Sequence, residues 1–160
     1  MKINITKQSG IYTLTSEQIL PLTLEKAWEF FTVPSNLDKI TPEEMNFKIT
    51  NNPPPKTYRG QIITYKIGIL PLIKSNWITE ITHLENRKFF VDEQRFGPYA
   101  MWHHEHHFEE ISAGKVKMTD IVNFKLPMGF LGDFFAGSLI KNKVISIFKS
   151  RFIILEKTFA

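Results

Sequence analysis

Apolar and polar positions alternate through most of the middle of the chain and switch to a three-to-four spacing near both ends. Alternation marks strands with two faces, and the longer spacing marks helices with one apolar stripe. Over 11–20, Tyr12, Leu14 and Ser16 alternate with Thr13, Thr15 and Glu17, and Pro21 ends this strand. Leu24, Ala27, Trp28 and Phe31 then fall at helical spacing, with Thr23 as a suitable N-cap and Pro34 as a stop. A second short helix is expected over about 35–40, before Pro42. Strand-like segments follow at 46–51, 61–69, 77–83, 88–95, 101–111 and 116–126, separated by Gly- and Pro-bearing turns. The Pro53-Pro54-Pro55 run reads as a stiff turn, since strand-like sequence flanks it. The chain closes with a helix expected over about 131–156. Its stripe is Leu131, Phe134, Phe135, Leu139, Ile145, Phe148, Phe152 and Leu155. At 1.5 Å per residue the stripe runs roughly 40 Å.

The order is therefore β-α-α-β-β-β-β-β-β-α, an α+β chain read as one domain over 1–160. Short turns make the seven strands antiparallel. So long an apolar helix needs a concave partner, which a strongly curved sheet supplies.

Composition sharpens the picture in three ways. Aromatics reach 13%, with 14 Phe, 3 Trp and 4 Tyr, so rings must fill a thick core or line a cavity. The absence of Cys removes disulfide scaffolds, Cys-ligated metals and thiol chemistry. The net charge of +4 invites a nucleic-acid partner, but Lys and Arg are scattered. Only Lys141, Lys143, Lys149 and Arg151 cluster, and they read as the solvated face of the last helix. No nucleic-acid partner is expected. The first ten residues carry no apolar signal core, and the most apolar run, 128–140, is broken by Asp133. No stable membrane insertion is expected, and the cytosol is the default location.

The segment 97–108 carries the candidate chemistry. Alternation puts Trp102, His104, His106 and Phe108 on one face, and Met101, His103, Glu105, His107 and Glu109 on the other. Trp and Phe at its ends mark the first face as the inner one. Tight flanking turns then set Gln94 across from Trp102, Asp92 from His104 and Phe90 from His106. The next hairpin sets Asp120 across from His106 and Met118 across from Phe108. A buried carboxylate needs a donor, and imidazole is a natural one. Three roles stay open for Asp92, His104, His106 and Asp120. They satisfy each other and orient a ligand; or they carry protons, as paired His and Asp do near neutral pH; or His104-x-His106 with one carboxylate holds a metal. His83 is a weaker extra ligand candidate, and His103, Glu105 and His107 suit only adventitious surface metal. Gly129, Gly132 and Gly137 mark either a flexible entrance or close packing on the sheet. No phosphate loop, nucleophile elbow or dinucleotide fingerprint is present.

The helix-grip order, the Asn36-Leu37-x-x-Ile40-Thr41-Pro42 stretch, and Asp92-Glu93-Gln94-x-x-Gly97-Pro98-Tyr99-x-x-Trp102-x-His104-x-His106-x-Phe108 resemble the START-like (SRPBCC) superfamily. This group includes Bet v 1-type allergens, polyketide cyclases and dehydrases, and lipid-transfer domains. Within it the chain is similar to a bacterial branch of uncharacterised ligand-binding proteins. The resemblance implies a deep hydrophobic cavity between the long helix and the sheet, holding a lipid, polyketide or similar small molecule. It carries over no catalytic set. In this reading Trp77, Phe90, Trp102, Phe108, Phe124, Phe134, Phe135, Ile145 and Phe148 wrap the apolar body, with Thr79 beside Trp77. Asp92, Gln94, His104, His106 and Asp120 orient the polar head, and no cofactor or resident metal is expected. The alternative is a cyclase- or dehydrase-type enzyme with His104 or His106 as general acid or base.

Overall fold

The computed structural model describes residues 2–70 and 73–160. Eight strands form one antiparallel sheet, one more than the alternation suggests. The additional strand, β1 (Lys2–Gln8), pairs with β2 (Ile11–Leu20) through a tight turn at Ser9-Gly10. Both turn residues have positive φ, 51° and 77°. That conformation matches the twist of a two-residue hairpin, and Gly10 adopts it without a Cβ penalty.

Helices α1 (Leu24–Phe31) and α2 (Asn36–Ile40) follow. Thr23 caps α1, its hydroxyl accepting from the Lys26 N–H at 3.3 Å. A 3-10 turn (Glu43–Met45) leads to β3, which is only Lys48–Ile49 and not the whole of 46–51. Beyond it, Thr50 and Asn51 hold the neighbouring strand through side-chain bonds. Then come β4 (Ile62–Leu70), β5 (Ile73–Glu85), β6 (Phe89–Phe96), β7 (Met101–Ser112) and β8 (Lys115–Lys125). The sheet order is β1-β2-β8-β7-β6-β5-β4-β3. Register shifts along the β5–β6 pair, at Arg95 of β6 and at Thr82 of β5, mark bulges that add twist and bend the sheet.

Helix α3 (Gly129–Phe159) lies across the concave face and is longer than its apolar stripe suggests. Its buried side is Gly137, Val144, Phe148, Arg151 and Leu155. Two expectations for this helix are corrected. Phe134 and Phe135 do not face the sheet: they are 81% and 79% exposed, while Asp133 and Gly137 of the same turns are the residues that meet β1 and β2. Arg151 is not on a solvated face. It is 8% exposed, sharing the helix side of Val144, Phe148 and Leu155. Among the described residues no helix is long and apolar enough to cross a membrane.

Close packing accounts for two of the helix glycines. A Cβ on Gly132 would lie 2.0 Å from the Pro127 carbonyl oxygen, and one on Gly137 would lie 2.6 Å from the Tyr12 hydroxyl. Tyr12 has little freedom to withdraw, since it is buried and stacked on Phe124 at 5.0 Å. Gly137→Ala is therefore expected to destabilise the protein. The overpacking cost, about 1–3 kcal/mol, exceeds the roughly 1 kcal/mol that alanine gains over glycine in a helix. Urea denaturation of Gly137→Ala in wild-type and Tyr12→Phe backgrounds checks this. Removing the hydroxyl should restore most of the loss, and an equal loss in both backgrounds would mean that the contact is not the cause.

Candidate functional site

The inner face of β7 is the one carrying His104, His106 and Phe108, all buried. Asp92 lies opposite His104 across the β6–β7 ladder, and Asp120 lies opposite His106 across β7–β8. The hydrogen bonds run on the diagonals. His104 Nε2 donates to Asp120 Oδ1 at 3.0 Å, and His106 Nε2 donates to Asp92 Oδ2 at 2.8 Å. An ionised carboxylate only accepts, so both Nε2 atoms carry protons. The other nitrogens differ. His104 Nδ1 is 3.6 Å from Asp92 Oδ2. His106 Nδ1 is 3.0 Å from Asp120 Oδ1 but off the bonding direction, and it is buried without a hydrogen-bond partner. The two rings lie 3.8 Å apart, and His106 stacks on Phe90 at 4.2 Å.

Arg151 completes the cluster from above. Its Nη2 stands 3.6 Å from Asp120 Oδ1, and its Nε is buried without a hydrogen-bond partner. The guanidinium also lies over the rings of Phe31 and Phe148, at 5.7 and 5.9 Å. Sequence reading misses this residue by grouping it with the neighbouring lysines. Its spacing from Val144, Phe148 and Leu155 is the available signal.

The electrostatics separate the two imidazoles. Burial and the neighbouring His106 charge push His104 below the ordinary value of 6.5, against the pull of Asp120 and Asp92. Burial also works against His106, but the flanking Asp120 and Asp92 carboxylates outweigh it and raise the group above 6.5. Burial favours neutral carboxyls, yet Arg151 and the two histidines hold Asp120 well below its usual range. His106, His104 and Arg151 likewise lower Asp92 against the effect of burial. Around the ordinary imidazole value of 6.5, two carboxylates then face one guanidinium and one imidazolium, so the cluster is neutral there with His106 protonated and His104 uncharged. Environments that drive two like groups apart divide them into acid and base.

A pH profile of stability follows from these directions. His106 binds its proton more tightly folded than unfolded, so its contribution is full below 6.5 and is lost as pH rises through its folded value. His104 has the opposite sign, and stability falls as pH drops from 6.5 toward its lowered folded value. The carboxylates extend the acid loss further down. Urea midpoints measured from mildly acid to mildly alkaline pH should therefore peak near the ordinary imidazole value. His106→Gln should flatten the alkaline flank and His104→Gln the upper acid flank; a profile unchanged by either variant would contradict this assignment.

A cavity of about 130 Å³ adjoins the cluster. Thr79, Phe90, Asp92, Trp102, His104, His106 and Arg151 line it, with apolar walls from Phe30, Phe31, Leu37, Ile40, Ile63 and Ile81. It is small beside ligand pockets of roughly 300–1,000 Å³. The rings explain the size. Trp77 is edge-on to Trp102 at 5.3 Å and stacked on Tyr65 at 5.8 Å, while Tyr99 leans on Trp102 at 4.8 Å. Aromatic side chains thus fill much of the grip beside this compartment.

The remaining expected residues lie outside that compartment. Trp77, Phe108, Phe124 and Phe148 are buried around it, Phe148 sitting 5.7 Å from His104. Asp120 lies behind the two imidazoles that it bonds. Gln94 is engaged by the β6–β7 turn, donating to the Tyr99 carbonyl at 2.7 Å and accepting from the Tyr99 N–H at 3.2 Å. Phe134 and Phe135 are exposed at the far end of α3. His83 is at the surface, while His103 and His107 bond Glu93 and Glu105, each at 2.8 Å. Asp92, His104 and His106 bring three ligand atoms within 4.8 Å of one another, the one group among the described residues with metal-ligand spacing. A divalent ion there would add two positive charges to a cluster that Arg151 and protonated His106 already neutralise, so the donor set does not favour one.

A curved antiparallel sheet gripping one long C-terminal helix, with two short helices closing one end, is the START-like, Bet v 1-type helix-grip fold. Solved structures of the same fold cover nearly the whole chain. Protein Ms6760 of Mycobacterium smegmatis is 15% identical with a TM-score of 0.67, covering 98% of this chain and 99% of its own. Major latex-like protein 151 of Panax ginseng is 11% identical with a TM-score of 0.69, covering 94% and 98%. A protein of Arthrobacter aurescens is 12% identical with a TM-score of 0.69, covering 96% and 91%. No protein-family model and no curated protein matches the sequence.

Proposed function

We propose that the protein binds a compact, mostly apolar molecule whose oxygen-bearing end meets the His104–His106–Arg151 corner. One observation carries this reading: an apolar compartment has a polar side formed by Asp92, His104, His106 and Arg151, and the Arg151 Nε is a buried donor without a partner. A buried donor left unpaired costs about 1–3 kcal/mol, and a ligand oxygen would recover that loss. The volume suits a ring-sized body better than a full acyl chain. Native mass spectrometry of protein purified from its own cells tests the proposal. A bound molecule that Arg151→Met no longer retains is expected. Loss of the idea would follow if the protein carried nothing and also failed, by ligand-observed NMR, to bind small cyclic ketones and carboxylic acids.

A second reading, an acid–base enzyme of the cyclase or dehydrase type, draws on a separate observation. His104 is held uncharged with Nδ1 free to accept, while His106 is held as the acid, and both line the cavity. It requires turnover of a bound molecule that His104→Gln abolishes without preventing binding.

A further inference from the structure

The four most exposed large apolar side chains among the described residues lie within eight positions at the start of α3: Met128, Phe130, Phe134 and Phe135, each 75–81% exposed. Nothing in the core requires them. The helix is anchored beside them by Gly137 against Tyr12 and by Asp133, 3.0 Å from Lys7. Phe134 and Phe135 pack edge-to-face on each other at 5.1 Å. An apolar groove of about 340 Å³ continues the patch between Pro98, Tyr99 and Leu126 on one side and Leu131, Phe135 and Ile140 on the other. A contiguous exposed apolar surface of this kind marks an interaction site.

The charges around it select the partner. From 125 to 149 the chain carries Lys125, Lys141 and Lys149, beside Lys143 held by Glu44 at 2.8 Å, against one acid, Asp133, which Lys7 already engages. Lys141 follows Phe134 by seven residues and so falls on the same side of the helix. The first turn of α3 holds no acidic side chain and no side-chain cap, leaving the positive end of the helix dipole without a counter-charge from the chain. Apolar rings beside cations and a bare helix dipole complement a surface with an apolar layer beneath a phosphate layer. A second copy of the chain would instead set like cations against each other across a two-fold axis.

We propose that this end of α3 is a membrane-docking surface, seating Phe130, Phe134 and Phe135 in the interfacial layer of an anionic phospholipid bilayer with Lys125 and Lys141 at phosphate level. The helix lies on the membrane and does not cross it. This reading is independent of what the central cavity holds.

Flotation of the full chain with vesicles of phosphatidylglycerol and phosphatidylcholine in equal parts, and with phosphatidylcholine alone, tests it. The wild type should float with the anionic vesicles, and less so as salt rises. Phe134→Ser combined with Phe135→Ser should lower the partition coefficient at least about tenfold. Lys125→Glu combined with Lys141→Glu should remove the preference for anionic lipid. The altered side chains lie outside the core, so unchanged melting of each variant confirms that folding is intact. Three results would overturn the proposal: no flotation of the wild type, equal flotation of wild type and ring variant, or a concentration-dependent dimer that the ring variant abolishes.

Discussion

Asp120→Ala is expected to cost about 3–5 kcal/mol of folding stability, the range for removing one partner of a buried ion pair. Asp120 accepts from His104, lies 3.0 Å from His106 Nδ1 and 3.6 Å from Arg151 Nη2, and is 6% exposed. Without it, His106 loses the carboxylate that does most to hold its proton and turns neutral, while the Arg151 guanidinium stays buried without its ion-pair partner. The Phe31 and Phe148 rings under Arg151 prevent the guanidinium from turning to water without unpacking α3. Domains of this size have total stabilities of roughly 5–15 kcal/mol, so the variant should fold marginally or not at all. Asp120→Ala combined with Arg151→Met separates the causes. If the unpaired cation is the damage, the double variant should regain much of the loss. Denaturant midpoints of the two variants check this, and a single-variant loss below about 1 kcal/mol would mean that Asp120 is not the counter-charge.

The centre of this cluster is legible in the amino-acid order, and its rim is not. Alternation in 101–108 fixes which side of β7 faces inward, because a one-residue slip would bury Glu105 and expose Phe108. Turn positions then set Asp92 and Asp120 across from the histidines, as the ladder has them. The diagonal bonding is beyond that logic, since it depends on side-chain rotation and strand twist. Periodicity also cannot say which members of an apolar stripe meet the sheet. Phe134 and Phe148 sit on one apolar stripe in sequence, yet Phe148 lies on the imidazoles and Phe134 in solvent. Strand β1 is hidden for a different reason. Only Ile3 and Ile5 alternate there among polar residues, the weak pattern of an edge strand with one face lightly covered. The Ser9-Gly10 turn is its clearest mark.

Trp77 decides how much of the grip is core and how much is cavity, and Trp77→Ala is expected to cost about 3–5 kcal/mol, as large aromatic truncations in cores do. The indole is 5% exposed, is stacked on Tyr65 and edge-on to Tyr99 and Trp102. Its Nε1 donates to the Thr79 hydroxyl at 3.0 Å, and Tyr65 shares that hydroxyl at 3.2 Å. Truncation therefore removes packing from three rings but leaves Thr79 a partner in Tyr65, so the hydrogen-bond loss is the smaller part. The released space adjoins residues that already line the compartment, Tyr65, Thr79 and Trp102. Stability and ligand range should thus move in opposite directions: the variant should unfold at lower urea yet accept bodies larger than the wild type does. Urea denaturation, together with binding of a graded series of cyclic ketones of increasing ring size, measures both. A destabilised variant with an unchanged size limit would show that Trp77 supports the sheet without bounding the cavity, and the limit would then rest on Trp102 and the α1–α2 wall.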